Sequence, residues 1–217
     1  MALILYAHPF SSYSQKVLIA LWENDVAFTY RHLEEPGAED ERAALWPLGR
    51  FPVLADDGRA IAESSIIIEH LHLHHPGPVR LLPADPTAAL EVRFLDRFFD
   101  NYVMTPQGKC VFDALRAPDA RDPQGVADAK AMLETAYAWL DARMAGREWA
   151  VGETFTLADA AAAPSLFYAD WTHAIPADLK NLHAYRARLL ARPSFAKAVD
   201  GGRPYRHYFP LGAPDRD

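Results

Sequence analysis

The sequence predicts a small α/β domain followed by a larger, wholly helical one. Three observations predict it. A strand–helix–strand pattern fills the first 33 residues, Asp57-Gly58 marks a hairpin that feeds one more helix, and strand signals vanish after residue 76.

Residues 2–6, Ala-Leu-Ile-Leu-Tyr, form a short apolar run that ends in a loop marked by Pro9 and two serines, as a buried strand does. From Ser14 the apolar residues fall at Val17, Leu18, Leu21 and Trp22, which is helical spacing, and Asn24-Asp25 closes the helix. Val26 to Leu33 has the β-branched and aromatic content of a second strand, parallel to the first because a helix connects them. Residues 34–46 are acidic and Ala-rich, an irregular segment with a short helix. A strand then follows Pro52, turns at Asp57-Gly58 and returns through Ala60-Ile61-Ala62. Ser64 opens a helix that runs from Ile66 to His74 and is stopped by Pro76. The order βαβ then ββα is a thioredoxin-like layer of about four strands.

A proline-rich segment, Pro76 to Pro86, reads as a linker. Residues 87–116 and 124–145 then show long helical periodicity, and further helices are expected over 157–171, 178–191 and 194–200. Thr156-Leu157-Ala158-Asp159 is a capping box. The expected domains are 1–76, a linker at 77–86, and 87–217.

Half of the 217 residues are hydrophobic and 24% are charged, the balance of a globular protein with a core. The net charge of −7, without any basic run, argues against nucleic acid or an anionic membrane as partner. No stretch reaches the ~20 apolar residues of a bilayer span. The single cysteine, Cys110, excludes an internal disulfide and a C-x-x-C redox pair, so the cytoplasm is the expected compartment.

Three segments could carry chemistry. Ser11, between the first strand and its helix, is either an N-cap or part of an anion site, since free N–H groups gather there. Arg50-Phe51-Pro52 is either an ordinary edge-strand proline or a cis-proline turn that exposes the Phe51 backbone to an extended peptide. Glu63-Ser64 either caps a helix or holds an amino-acid head group, the hydroxyl and N–H groups taking its carboxylate and Glu63 its ammonium.

Taken together, these segments resemble the glutathione transferase family, in its bacterial-type, serine-class, cytosolic members. The resemblance rests on Ser11 with Lys16-Val17-Leu18-Ile19-Ala20-Leu21, on Pro47-Leu48-Gly49-Arg50-Phe51-Pro52-Val53-Leu54, on Glu63-Ser64 and on the Thr156–Asp159 box, in order along nearly the whole chain. It implies a glutathione co-substrate whose thiolate Ser11 stabilises. It also implies that the Phe51 backbone, before a cis Pro52, pairs with the cysteinyl unit, and that Glu63 and Ser64 hold the γ-glutamyl end. Arg50 is placed to reach the glycyl carboxylate, where many relatives have Lys or Gln. Tyr13 stands where the isomerase class and other relatives carry cysteine, which weakens the isomerase alternative, and Ser11 in place of a catalytic cysteine counts against a glutathione-dependent oxidoreductase. A further alternative is a binding or scaffold protein without turnover.

The energetics suit a serine donor. Lowering a thiol from about 8.5 by two pKa units takes about 2.7 kcal/mol. A hydrogen bond to an anion supplies roughly 1.5–3 kcal/mol, and a helix N-terminus adds roughly 0.3–1. Tyr6, Ser12, Tyr13 and His8 are competing candidates. Phe98, Phe99, Tyr102, Phe167, Tyr168 and Trp171 are candidates for the wall of an electrophile pocket. His70, His72, His74 and His75 have metal-ligand character, but no cysteine or paired carboxylate is near in sequence, so no metal is expected. The resemblance also implies a homodimer, with contacts expected from Arg93, Phe94, Asp96, Arg97 and Asp100. Either Asp96 or Asp100 would approach the partner's glutathione.

Overall fold

A computed structural model describes residues 3–217; Ala2 of the expected first strand lies outside the described residues. The front half contains strands β1 (Leu3–Ala7), β2 (Thr29–His32), β3 (Val53–Asp56) and β4 (Arg59–Ala62), with helices α1 (Ser12–Glu23), α2 (Ala38–Leu45) and α3 (Ser64–His74). The sheet order is β2-β1-β3-β4, with β1 parallel to β2 and antiparallel to β3, and β3 antiparallel to β4. This is the thioredoxin-like layer.

Register places the three candidate site segments. Tyr6 pairs with Val53 and Val53 with Ala62. The exit of β1, the entry of β3 and the exit of β4 therefore lie at one end of the sheet. The loops carrying Ser11, Pro52 and Glu63 must converge there.

The second strand is shorter than the sequence suggests. The Val26 N–H bonds back to the Leu21 carbonyl at 3.0 Å, closing α1, and Asp25 turns the chain with φ +50°. Val26 and Phe28 are spent on packing under that turn, and strand pairing begins only at Thr29.

The helical half holds α4 (Pro86–Phe98), α5 (Thr105–Ala114), α6 (Pro123–Met144), α7 (Leu157–Thr172), α8 (Lys180–Leu190) and α9 (Pro193–Gly202). The helix expected over 87–116 is interrupted by a π-helical turn, Phe99–Met104. Pro106 explains it: its ring would strike the Tyr102 carbonyl one α-turn back, and it has no N–H to give. The wider turn avoids this, and the Asp100 carbonyl accepts both the Thr105 N–H and the Thr105 hydroxyl, the latter at 3.0 Å.

The segment between α3 and α4 is pinned. Leu81 and Leu82 are buried, and the Leu81 carbonyl accepts the Leu157 N–H at 2.9 Å. At the head of α7, the buried Asp159 carboxylate accepts from the N–H and hydroxyl of Thr156, from the Ala150 N–H and from the Tyr185 hydroxyl. One apolar core runs unbroken from Leu5 and Ile19 in the front half through Ile67 and Val92 to Leu166 and Phe195.

Candidate active site

The three expected segments open onto one cleft of about 860 Å³ between the halves. Ser11, Arg50, Phe51, Pro52, Glu63 and Ser64 all line it, and the helical half contributes Arg97, Asp100, Asn101, Met104, Phe112 and Tyr168 across from them. The C-terminal segment closes a side with Tyr208, Phe209 and Pro210.

Ser11 is the N-cap of α1, its Oγ accepting the Ser14 N–H at 3.3 Å. This cap engages one lone pair and leaves the hydroxyl proton free to donate. The loop before it is held firmly: Gln15 Nε2 donates to the Pro9 carbonyl at 2.9 Å and reaches the Tyr168 hydroxyl at 3.1 Å. Gly202 allows the close approach of α9, since a Cβ there would meet Gln15 Nε2 at 3.2 Å and the Pro9 carbonyl at 3.3 Å.

The Phe51–Pro52 peptide is cis, and Phe51 is partly exposed at the cleft. Glu63 has a left-handed backbone, φ +69°, unusual for a side chain with a Cβ and typical of functional turns. That turn starts α3 with Ser64, so the helix N-terminus faces the cleft beside the Glu63 carboxylate.

Beneath the cleft lies a charge network invisible to a linear reading. Lys16 and Asp96 form an ion pair, each only 2% exposed. Lys16 Nζ also donates to Ser65 Oγ at 2.9 Å and lies 3.4 Å from Asp100 Oδ1. Arg97 bonds Asp100 at 2.6 Å and Asp96 at 2.8 Å, and also reaches Ser65. Burial alone would raise the Asp96 carboxyl, but the Lys16 ammonium, together with bonds from Ser65 and Arg97, outweighs it and holds Asp96 below the usual carboxylate range. Burial wins at Asp100, whose carboxyl is raised. The network bolts α4 and the π turn to α1 and α3. Its sequence signal is a lysine inside the apolar run of α1.

The competing candidates separate. Tyr6 packs on the opposite face of the sheet from α1, with Val53 and Ala55, and its phenol is bonded to Glu41, so it does not reach the cleft. Ser12 and Tyr13 line the cleft beside Ser11. Burial, helped by the Asp100 carboxylate, pushes the Tyr13 phenol up to about 12, so it is neutral at physiological pH. Both His8 nitrogens are engaged, Nδ1 by the Phe10 N–H and Nε2 by Glu34. Cys110 is buried in α5 and burial raises its thiol. Of the six aromatics expected around an electrophile, only Tyr168 lines the cleft; Phe98, Phe99, Phe167 and Trp171 are buried in packing, Tyr102 is exposed outside the cleft, and Phe112, Tyr208 and Phe209 line the cleft with Tyr168. Asp96 is enclosed by its own chain, which removes it as a residue reaching a partner. Among the described residues, no helix is long and apolar enough to cross a membrane.

A thioredoxin-like layer whose cis-proline turn and two helix N-termini open onto a cleft roofed by a helical half defines an α/β-plus-helical class of protein with one shared cleft. The comparisons with known proteins are consistent with this. Residues 5–79 match the glutathione S-transferase N-terminal domain and residues 103–193 the C-terminal domain. Glutathione S-transferase GST-4.5 of Xanthomonas campestris is 32% identical over 154 residues, 68% of this chain and 72% of its own. The crystal structure of a Methylobacterium radiotolerans glutathione S-transferase in complex with glutathione sulfonate is 30% identical, with a TM-score of 0.80 over 92% of this chain and 95% of that one. A Methylobacillus flagellatus glutathione S-transferase with glutathione bound is 26% identical, with a TM-score of 0.82 over 91% and 98%. The chain belongs to the glutathione S-transferase family.

Proposed function

We propose that this chain is a serine-class glutathione transferase that ionises the glutathione thiol at Ser11 and presents the thiolate to an electrophilic small molecule. Glutathione is the co-substrate. Its cysteinyl unit pairs with the Phe51 backbone, its γ-glutamyl group sits at Glu63, Ser64 and the N-terminus of α3, and Arg50 meets the glycyl carboxylate. Ser11 acts as a hydrogen-bond donor to the sulfur anion, not as a base or a nucleophile, because its own proton is far harder to remove than that of a thiol. The thiolate lies at the N-terminus of α1, which adds to its stabilisation. The electrophile occupies the part of the cleft walled by Phe112, Tyr168 and Tyr208. The enzyme works in the cytoplasm as a homodimer.

The observation that carries this reading is the convergence of Ser11, Phe51-Pro52 and Glu63-Ser64 on one cleft from three separate loops. Calorimetry with glutathione, followed by conjugation assays on a panel of electrophiles, tests it. No binding at millimolar glutathione overturns the whole assignment. Binding without conjugation of any electrophile would support the scaffold reading instead, in which Ser11 is only the helix cap that the Ser14 bond already makes it.

A further inference from the structure

We infer a second site at the far end of the sheet from the cleft: a centre for a divalent transition metal of the zinc type, formed by Asp56, His70 and His75. Asp56 ends β3 and pairs with Leu3 and Arg59, while the cleft lies at the Val53 end of the same strand. Helix α3 begins at the cleft with Ser64 and ends beside Asp56, so its C-terminal half and cap bring His70 and His75 there.

Asp56 Oδ2 lies 2.8 Å from His70 Nε2 and 2.8 Å from His75 Nε2. The three ligand atoms all lie within 4.8 Å of one another. Tetrahedral zinc with nitrogen and oxygen ligands at about 2.0–2.2 Å spaces those ligands about 3.3 Å apart, so each contact to Asp56 needs to open by only about half an ångström. Two imidazoles and one carboxylate are a zinc-type donor set with one position left for water, and the absence of thiolate from the set disfavours softer ions. All three side chains are largely buried yet reach the surface, with 10–15% exposure, which gives an ion an entry path. The backbone is set too: the His75 N–H bonds the Leu71 carbonyl at 2.8 Å, closing the helix, and Asp56 is held in the sheet. The His74 ring, 4.5 Å from that of His70, adds another imidazole beside the set. The histidines alone lacked a carboxylate in the sequence, and the hairpin supplies it.

The second histidine cluster, His8, His32 and Glu34, is the natural control. There Tyr205 and Tyr208 already engage His32 and Glu34, and the Phe10 N–H engages His8. The test uses chelator-stripped full-length protein without glutathione, whose thiol would compete for metal. Co²⁺ is added as the spectroscopic probe and Zn²⁺ as the competitor. One equivalent of Co²⁺ should develop the intense visible bands of a tetrahedral site, and Zn²⁺ should quench them. Asp56→Asn and His75→Ala should each weaken binding at least a hundredfold, beyond the roughly 10–100-fold that an outer-shell partner costs. His32→Ala should bind as the parent does. Absence of cobalt bands overturns the site. So does binding that survives both Asp56→Asn and His75→Ala, or binding lost in His32→Ala. Asp56→Asn is nearly isosteric, and circular dichroism verifies that each variant is folded before titration.

Discussion

At Ser11 one hydroxyl accepts the Ser14 N–H and, in the proposed mechanism, keeps its proton for the sulfur anion, so substitution there should have two separable effects. Ser11→Ala loses both. Stability should fall by about 1 kcal/mol for the missing cap, and the pKa of bound glutathione should rise by about one to two units for the missing donor. Affinity for glutathione should change little, because the other contacts remain. Ser11→Asp separates the two: its carboxylate caps the helix as well as serine does, yet it repels a thiolate. Ultraviolet titration of bound thiolate and urea unfolding should therefore disagree, with stability recovered and ionisation still lost. Joint recovery would make Ser11 a cap alone and point to Ser12 or Tyr13. Tyr6→Phe should leave kcat/KM unchanged, since Tyr6 lies on the other face of the sheet; a large drop would contradict that placement. The residues that line the cleft from the front half were legible because each belongs to a short contiguous motif at a strand end. The helical-side residues were not: periodicity says that a helix has an apolar face, not which cavity that face meets.

Helix α1 was legible from its apolar spacing, while the reason Lys16 lies inside it was not, because its partners come from α3, α4 and the π turn. The pair matters at this scale. Lys16→Met leaves the buried Asp96 carboxyl with Arg97 but without its buried ammonium partner and should cost up to about 3–5 kcal/mol. Lys16→Met with Asp96→Leu should recover most of that, since an apolar pair of similar volume removes both desolvation penalties. Acid should narrow the gap. Asp96 is held below its unfolded value of about 3.9, so its contribution is complete above that pH and is lost as pH falls through the folded value. Urea unfolding at neutral pH and again at about pH 3 should show the Lys16→Met deficit shrinking in acid. A deficit that stays constant would assign the loss to packing instead of charge. The same limit explains the long helix expected over 87–116: Pro106 was visible, but periodicity alone did not show that a π turn would absorb it.

For the whole molecule, the order of strands and helices specified the architecture, because a βαβ unit and an Asp-Gly hairpin admit few sheet topologies. What it left open is which surface would meet a second copy. The charges expected at that contact are largely turned inward or toward the cleft: Asp96 is buried and Arg97 bonds Asp100. The exposed face instead carries Leu90 at 67%, Phe94 at 49%, Tyr102 at 47% and Trp139 at 39% exposure. The three aromatics are joined through Phe98, with the Trp139 ring 4.6 Å from Phe98 and 6.1 Å from Phe94, and Phe98 5.4 Å from Tyr102. Aromatic residues concentrated on one face suit an interface core, where Trp, Tyr and Phe supply much of the binding energy and charge is depleted. A two-fold arrangement would set this patch of α4 and α6 against the partner in self-complementary fashion. Light scattering at micromolar concentration should therefore give twice the chain mass of 24.2 kDa. Phe94→Glu with Trp139→Glu should return it to the single-chain value, because two carboxylates buried without partners cost more than the contact can supply. Both positions are exposed in the isolated chain, so the variant should keep its fold and its glutathione binding. A parent protein that scatters as a single chain would refute the dimer, and a double variant that stays dimeric would move the interface to another face.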